Sequence, residues 1–139
     1  MMVIVVAASG WSLTNAASRF LPHTPGRFET FISNTVADGI TIGCDGGLTH
    51  NIAVSKYLGA KYLPIHNYCG GFPILDLRIG DSVIIAEVGE FAVVDFRSVP
   101  FGNIPATALR GLGGEVILQT SYRDNSAMRA VGLNRSLSG

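Results

Sequence analysis

Ser82-Val-Ile-Ile-Ala-Glu-Val88 and Phe91-Ala-Val-Val-Asp-Phe-Arg-Ser-Val99 flank Gly89-Glu90, with Gly80-Asp81 just ahead of the first run. Both runs are rich in β-branched and aromatic side chains. Runs of that composition around a glycine-containing connection predict a β-hairpin. Glu115-Val-Ile-Leu-Gln-Thr-Ser121 reads as a further buried strand, and Arg129-Ala-Val-Gly-Leu133 as the last one. Upstream, Tyr62-Leu-Pro-Ile-His66 is a short extended run of the same kind. Short strands dominate the second half, so the expected class is mainly β: a closed, antiparallel β-barrel with short helices.

Around this centre the pattern is thinner. Residues 3–8 read as a strand, and Ser12 is placed to cap a helix through Phe20 that Pro22 and Pro25-Gly26 end. Residues 27–39 have no clear period. Ile40-Thr-Ile-Gly-Cys44 reads as a strand closed by the turn Asp45-Gly46-Gly47. Residues 50–58 fit a helix or a strand equally. A single helical turn is expected over Ala106–Leu109, a loop over Tyr122–Met128 and a frayed end after Arg135.

The chain has 139 residues, 47% hydrophobic and 14% charged, which fits one domain (1–139) with a real core rather than a disordered chain. Its formal net charge is zero and no basic cluster occurs, which argues against a nucleic-acid surface. The apolar start Met1–Ala8 is far shorter than the roughly 18 residues a membrane span needs, and it lacks the basic start of a signal peptide. It reads as a first buried strand, with the stub of a membrane anchor as the alternative. Cys44 and Cys69 are not spaced as a zinc site. The favoured reading is two buried thiols, with one bridge as the alternative. No motif for a cofactor or a metal is present.

Chemistry concentrates at the strand ends. A hydroxyl (Ser121), an imidazole (His66) and a guanidinium (Arg129) are the parts of an acyl-transfer site. Their order, with the pieces between them, resembles the sortases, the cysteine transpeptidases of Gram-positive cell surfaces. The matching pieces are Ile65-His66-Asn67, Asp76-Leu-Arg-Ile-Gly-Asp-Ser-Val83, Phe91-Ala-Val-Val94, Val99-Pro100, Ile104-Pro-Ala-Thr-Ala-Leu109, and Leu118-Gln-Thr-Ser121 with Arg129. The likeness covers about residues 60–134, and its Pro-x-x-Ala-Leu piece looks most like the shorter actinobacterial sortases. Residues 1–39 match nothing in that pattern.

The resemblance implies a sortase-like barrel whose groove takes a peptide sorting motif. The family's Cys forms a thioacyl-enzyme, which an amine on a cell-wall precursor or pilin resolves. His66 would be the acid for the leaving amine, and Arg129 would hold the oxyanion or the substrate backbone. The implied place is the extracellular face of the membrane or the cell wall, with no membrane anchor in this chain, no cofactor and no metal. Ser121 stands where the family has Cys. A replaced nucleophile, a natural inactive relative and a shifted register all remain open, and the chain as written is expected to be nearly inactive.

Competing assignments are Cys69 as nucleophile, Arg123 in place of Arg129, and His66 as a merely structural histidine. Asp81 is expected to fix its turn, and His23 and His50 to be surface residues. Two other functions are carried. One is a Rossmann-like nucleotide-binding domain built on residues 3–14 and 40–58. The other is a β-barrel module that binds a partner without catalysis.

Overall fold

The computed structural model describes residues 26–37, 42–100 and 104–136. The strand expected at 3–8, the helix from Ser12, His23 and the first residues of the Ile40–Cys44 strand lie outside these. Eight strands are present among the described residues: β1 (Arg27–Thr30), β2 (Ile32–Val36), β3 (Leu48–Asn51), β4 (Lys61–Pro64), β5 (Ser82–Ile85), β6 (Gly89–Pro100), β7 (Val116–Ser121) and β8 (Ala127–Arg135). Helix α1 (Ile52–Leu58) and a single turn α2 (Pro105–Ala108) complete the regular structure, with two 3-10 turns at Asn67–Cys69 and Phe72–Asp76. The class is mainly β, as expected.

The expected hairpin is β5–β6, antiparallel with Val83 opposite Phe91 and Ile85 opposite Gly89. Its turn is Ala86–Val88 rather than Gly89-Glu90, with Glu87 at φ 66° and Val88 N–H donating to the Ile85 carbonyl at 2.9 Å. β6 continues antiparallel to β8, interrupted by a bulge between Val93 and Asp95, and β8 pairs antiparallel with β7. These pairings generate a curled six-stranded sheet in the order β1-β5-β6-β8-β7-β4.

The expectation of a closed, antiparallel barrel is corrected on two points. Among the described residues three pairings are parallel: β1 with β5, β2 with β3, and β4 with β7. Backbone ladders also do not close the ring; β2 and β3 form a separate pair. The physical reason is the 27–36 segment. It pairs with β5 through β1, bends at Phe31, and then pairs with β3 through β2, so it changes sheets as strands at sheet corners do. β3 lies beside β4 without a ladder between them.

Strand alternation divides the core in two. Leu63, Ile65, Val83, Ile85, Phe91, Val93, Val116, Leu118, Val131 and Leu133 fill the concave side, closed at one end by Ile74 and Leu77 of the 72–77 segment. Tyr62, Val99, Ile117 and Ala130 face the convex side, where Val54 and Leu58 of α1 and Leu109 and Leu112 after α2 cover them. Within the undecided stretch 50–58, residues 50 and 51 end β3 and residues 52–58 form a helix with both ends capped. The Asn51 side chain accepts the Val54 N–H at 2.9 Å, and Gly59 at φ 70° returns its N–H to the Ser55 carbonyl. The expected strand before Asp45 is absent over residues 42–44, and the strand comes after the glycine bend, as β3. Asp81 fixes its turn as expected: its carboxylate accepts the Gly26 and Arg78 N–H groups at 2.8 and 2.9 Å.

Candidate active site

β4, β7 and β8 are adjacent in the sheet, and one end of this trio carries the three residues singled out from the sequence. The parallel register of β4 and β7 pairs Lys61 with Val116 and Pro64 with Gln119, an offset of 55. The Ile65 N–H continues that ladder to the Gln119 carbonyl at 2.9 Å, and His66 is still extended (φ −65°, ψ 143°). The same offset sets His66 beside Ser121. Alternation puts Tyr62, Pro64 and His66 on one face of β4, and Ile117, Gln119 and Ser121 on the same face of β7. Both His66 and Ser121 are half-buried.

Rather than ending its strand, His66 caps the 3-10 turn that follows. Its carbonyl accepts the N–H groups of Cys69 and Gly71, both at 3.1 Å, and its ring stacks on the exposed Tyr68 at 5.6 Å between centroids. Thr120, buried, donates its hydroxyl to the Ile65 carbonyl at 2.7 Å and so locks the β7 end to the β4 end beside His66. Gly71 is required there, because a Cβ on it would stand 2.4 Å from Thr120 Oγ1 and 2.8 Å from the His66 carbonyl oxygen.

Arg129 lies one strand further on. It pairs with Thr120, not Ser121, whose partner is Met128. It therefore shares the face of Thr120 and Val131. Its Nη2 donates to the Leu77 carbonyl at 2.6 Å and its guanidinium lies 4.4 Å from the centre of the Phe96 ring. Its Nε is buried without a partner. The rival Arg123 is exposed, with its guanidinium 3.9 Å from the Phe72 ring centre. The structure thus brings His66 and Ser121 together laterally and sets Arg129 a strand away on the opposite parity.

The other nucleophile candidate is engaged elsewhere. Cys69 is bonded to Cys44 as a disulfide with Cα atoms 5.0 Å apart, which corrects the reading of two free buried thiols. Sequence spacing could not give this pairing, because the bend at 45–47 and the turn at 67–71 meet only in the folded chain.

Several residues that frame the site carried no signal in the sequence. Tyr62 donates its hydroxyl to Gln119 Oε1 beneath the His66–Ser121 pair, and burial pushes the Tyr62 phenol up, keeping it protonated. Gln119 Nε2 contacts Met128 Sδ at 3.4 Å. Asn67 Nδ2 donates to the Tyr122 carbonyl at 3.0 Å, and the Tyr122 and Ser98 hydroxyls share a 2.6 Å bond. In the β7–β8 loop, hydrogen bonds from the Ser126 hydroxyl and N–H lower the pKa of the exposed Asp124. No group of His, Cys, Asp or Glu among the described residues could hold a metal ion.

No family model matches the chain, and no solved structure matches it. A curated protein that is similar is a glutamine-hydrolyzing GMP synthase subunit of Methanothrix thermoacetophila, 27% identical over 96 residues. The aligned part is 69% of this chain and 51% of that protein, so the chain spans about half the length of the relative it matches.

Proposed function

We propose that this chain is a sortase-type transpeptidase domain in which Ser121 occupies the nucleophile position, leaving it nearly inactive as written. The observation that carries the reading is the β4–β7 parallel pairing flanked by antiparallel β8. It sets an imidazole and a hydroxyl side by side at one sheet end with an arginine on the next strand.

In this reading a nucleophile at position 121 attacks the carbonyl carbon of a sorting motif. The C–N bond then breaks, and the departing amine takes a proton from the His66 imidazolium. An amine acceptor later attacks the acyl carbon, its proton passes to the now neutral His66 imidazole, and the bond to the nucleophile breaks and restores it. A thiolate at position 121 needs no base, so His66 is free to be the acid. A serine hydroxyl is a far poorer nucleophile than a thiolate and must lose its proton to a base as it attacks. The role the resemblance gives Arg129, at the oxyanion or the substrate backbone, requires its guanidinium to leave the Leu77 carbonyl and round the sheet end from the Thr120 face; its unpartnered Nε is the group left to gain a bond.

The Cys44–Cys69 disulfide supports an oxidising compartment, in keeping with the extracellular face of a membrane or a cell wall. Sorting-motif peptides and an amine acceptor are the corresponding partners.

The test is Ser121→Cys. This variant should react with alkylating reagents at the new thiol and cleave one peptide of a sorting-motif panel, whereas the parent chain does neither. Adding His66→Ala should abolish cleavage with the fold retained by circular dichroism. Glutamine joins the panel because the curated relative is glutamine-hydrolyzing. A folded Ser121→Cys protein that neither alkylates nor cleaves would rule out the transpeptidase site.

A further inference from the structure

The turn that carries His66 is held from two sides. On one side stands β7, through Thr120 and the tight approach at Gly71. On the other stands the 42–47 bend, and the covalent link between bend and turn is Cys44–Cys69. The hydrogen bonds of the bend run within its own neighbourhood, Gly43 N–H to Thr49 Oγ1 and Gly47 N–H to Asp45 Oδ1. Those of the turn run to His66, Asn67 and Tyr122. Gly70 packs on the bend so closely that a Cβ there would lie 3.0 Å from the Gly46 carbonyl oxygen. Cys69 is buried, yet Cys44 is exposed, so one sulfur of the bond sits on a residue that solvent reaches. Cys69 also donates its N–H to the His66 carbonyl, three residues from the imidazole.

We propose that the Cys44–Cys69 disulfide is a positioning element for His66, and that its reduction by a dithiol loosens the 66–71 turn while the curled sheet stays folded. In that exchange the reagent's thiolate attacks one sulfur, the S–S bond breaks, and a second thiolate of the reagent displaces the mixed disulfide. The protein gains two electrons and two protons as two thiols, and the dithiol leaves as a cyclic disulfide. The claim that this disengages a working site rests on the transpeptidase reading; the claim that it releases the turn does not.

The experiment is amide hydrogen exchange on the unmodified chain, oxidised and after dithiothreitol, with the His66 imidazole signal followed by NMR and assigned by its loss in His66→Gln. On appearance of two thiols, the Cys69 and Gly71 amides should exchange at least tenfold faster. The Val93, Leu118 and Val131 amides should stay protected in the reduced protein, exchanging far more slowly than those of Cys69 and Gly71. The His66 ring signal should shift or broaden while that of His50 on β3 holds, and re-oxidation should restore the first state. Unchanged exchange at Cys69 and Gly71, or a His66 signal indifferent to reduction, would overturn the proposal. So would loss of protection in β6, β7 and β8 together with the turn, since the bond would then hold the whole fold. Cys44→Ser, which leaves the buried Cys69 thiol in place, should reproduce the reduced pattern without reagent. Peptide cleavage is not the readout, so a failed transpeptidase reading leaves these outcomes decisive.

Discussion

Gly132→Ala should be among the most damaging single-methyl changes this chain can suffer. Gly132 sits inside β8, where Gly113 crosses it: a Cβ at 132 would stand 1.6 Å from the Gly113 carbonyl oxygen and 2.8 Å from its carbon. Ordinary carbon contacts begin near 3.5 Å, so the 113–114 segment would have to retreat by roughly 2 Å. That segment is tied down. The Gly113 N–H donates to Asp95 Oδ2 at 2.8 Å beside the β6 bulge, and the Glu115 N–H donates to the Leu133 carbonyl at 2.8 Å. Overpacking costs about 1–3 kcal/mol, and loss of a hydrogen bond to a carboxylate about 1.5–3 kcal/mol more. The sum is about 4 kcal/mol. With a urea slope of about 2 kcal/mol per molar for a domain of this size, the midpoint should fall by about 2 M. The melting temperature should drop by about 12 °C. Gly59→Ala is the control: it has φ 70° but nothing within 4 Å, so only the left-handed backbone is penalised, at about 1 kcal/mol. The assay is urea unfolding of both variants, followed by circular dichroism with the slope fitted. Equal losses in the two variants would refute the crossing of Gly113 over β8, and with it the local geometry that starts β7.

Reducing Cys44–Cys69, which closes a separation of 25 residues, should lower global stability by about 3.5 kcal/mol on the chain-entropy model, measured by denaturant unfolding with and without reductant. Asp81→Asn keeps the shape but puts an NH2 where one carboxylate oxygen accepts, so it loses one of the bonds from Gly26 and Arg78 and weakens the other, and should cost about 2 kcal/mol in the same assay. His50 has its pKa lowered from 6.5, first by burial and then by the Lys61 charge. The unfolded chain therefore binds its proton more readily, and stability should decline as pH falls through 6.5 toward the folded-state value. His50→Gln should flatten that decline as pH is lowered from neutrality in a denaturant titration, the difference being small because the ring is partly solvated.

The pieces legible in the sequence are those whose burial is written into local composition. β5, β6, β7 and β8 are β-branched runs, and their alternation assigns them to a sheet without reference to anything distant. β1 and β2 are not legible, because Arg27-Phe-Glu-Thr30 and Ile32-Ser-Asn-Thr-Val36 are half-exposed and mixed in polarity. α1 is not legible either, because the 50–58 interior fits a helix or a strand equally; its caps, Asn51 and Gly59, are found only in the folded chain. Ser121 and His66 stand out in the sequence as side chains with chemistry, but their adjacency comes from a parallel pairing of strands whose register begins 55 residues apart.

By itself the sequence determined a mainly β chain with a hairpin near its middle, a turn fixed by Asp81, and a hydroxyl, an imidazole and a guanidinium at the ends of apolar runs. Those follow from side-chain periodicity, which acts over a few residues. Only the tertiary structure decided that β4 and β7 run parallel, that Cys44 and Cys69 are joined, that Arg129 faces Thr120 and Leu77, and that the ring of described strands is left open between β3 and β4. Each of these depends on which distant segments share a ladder or a contact. That choice is made by burying the whole concave face at once, a condition no local stretch of the chain can express.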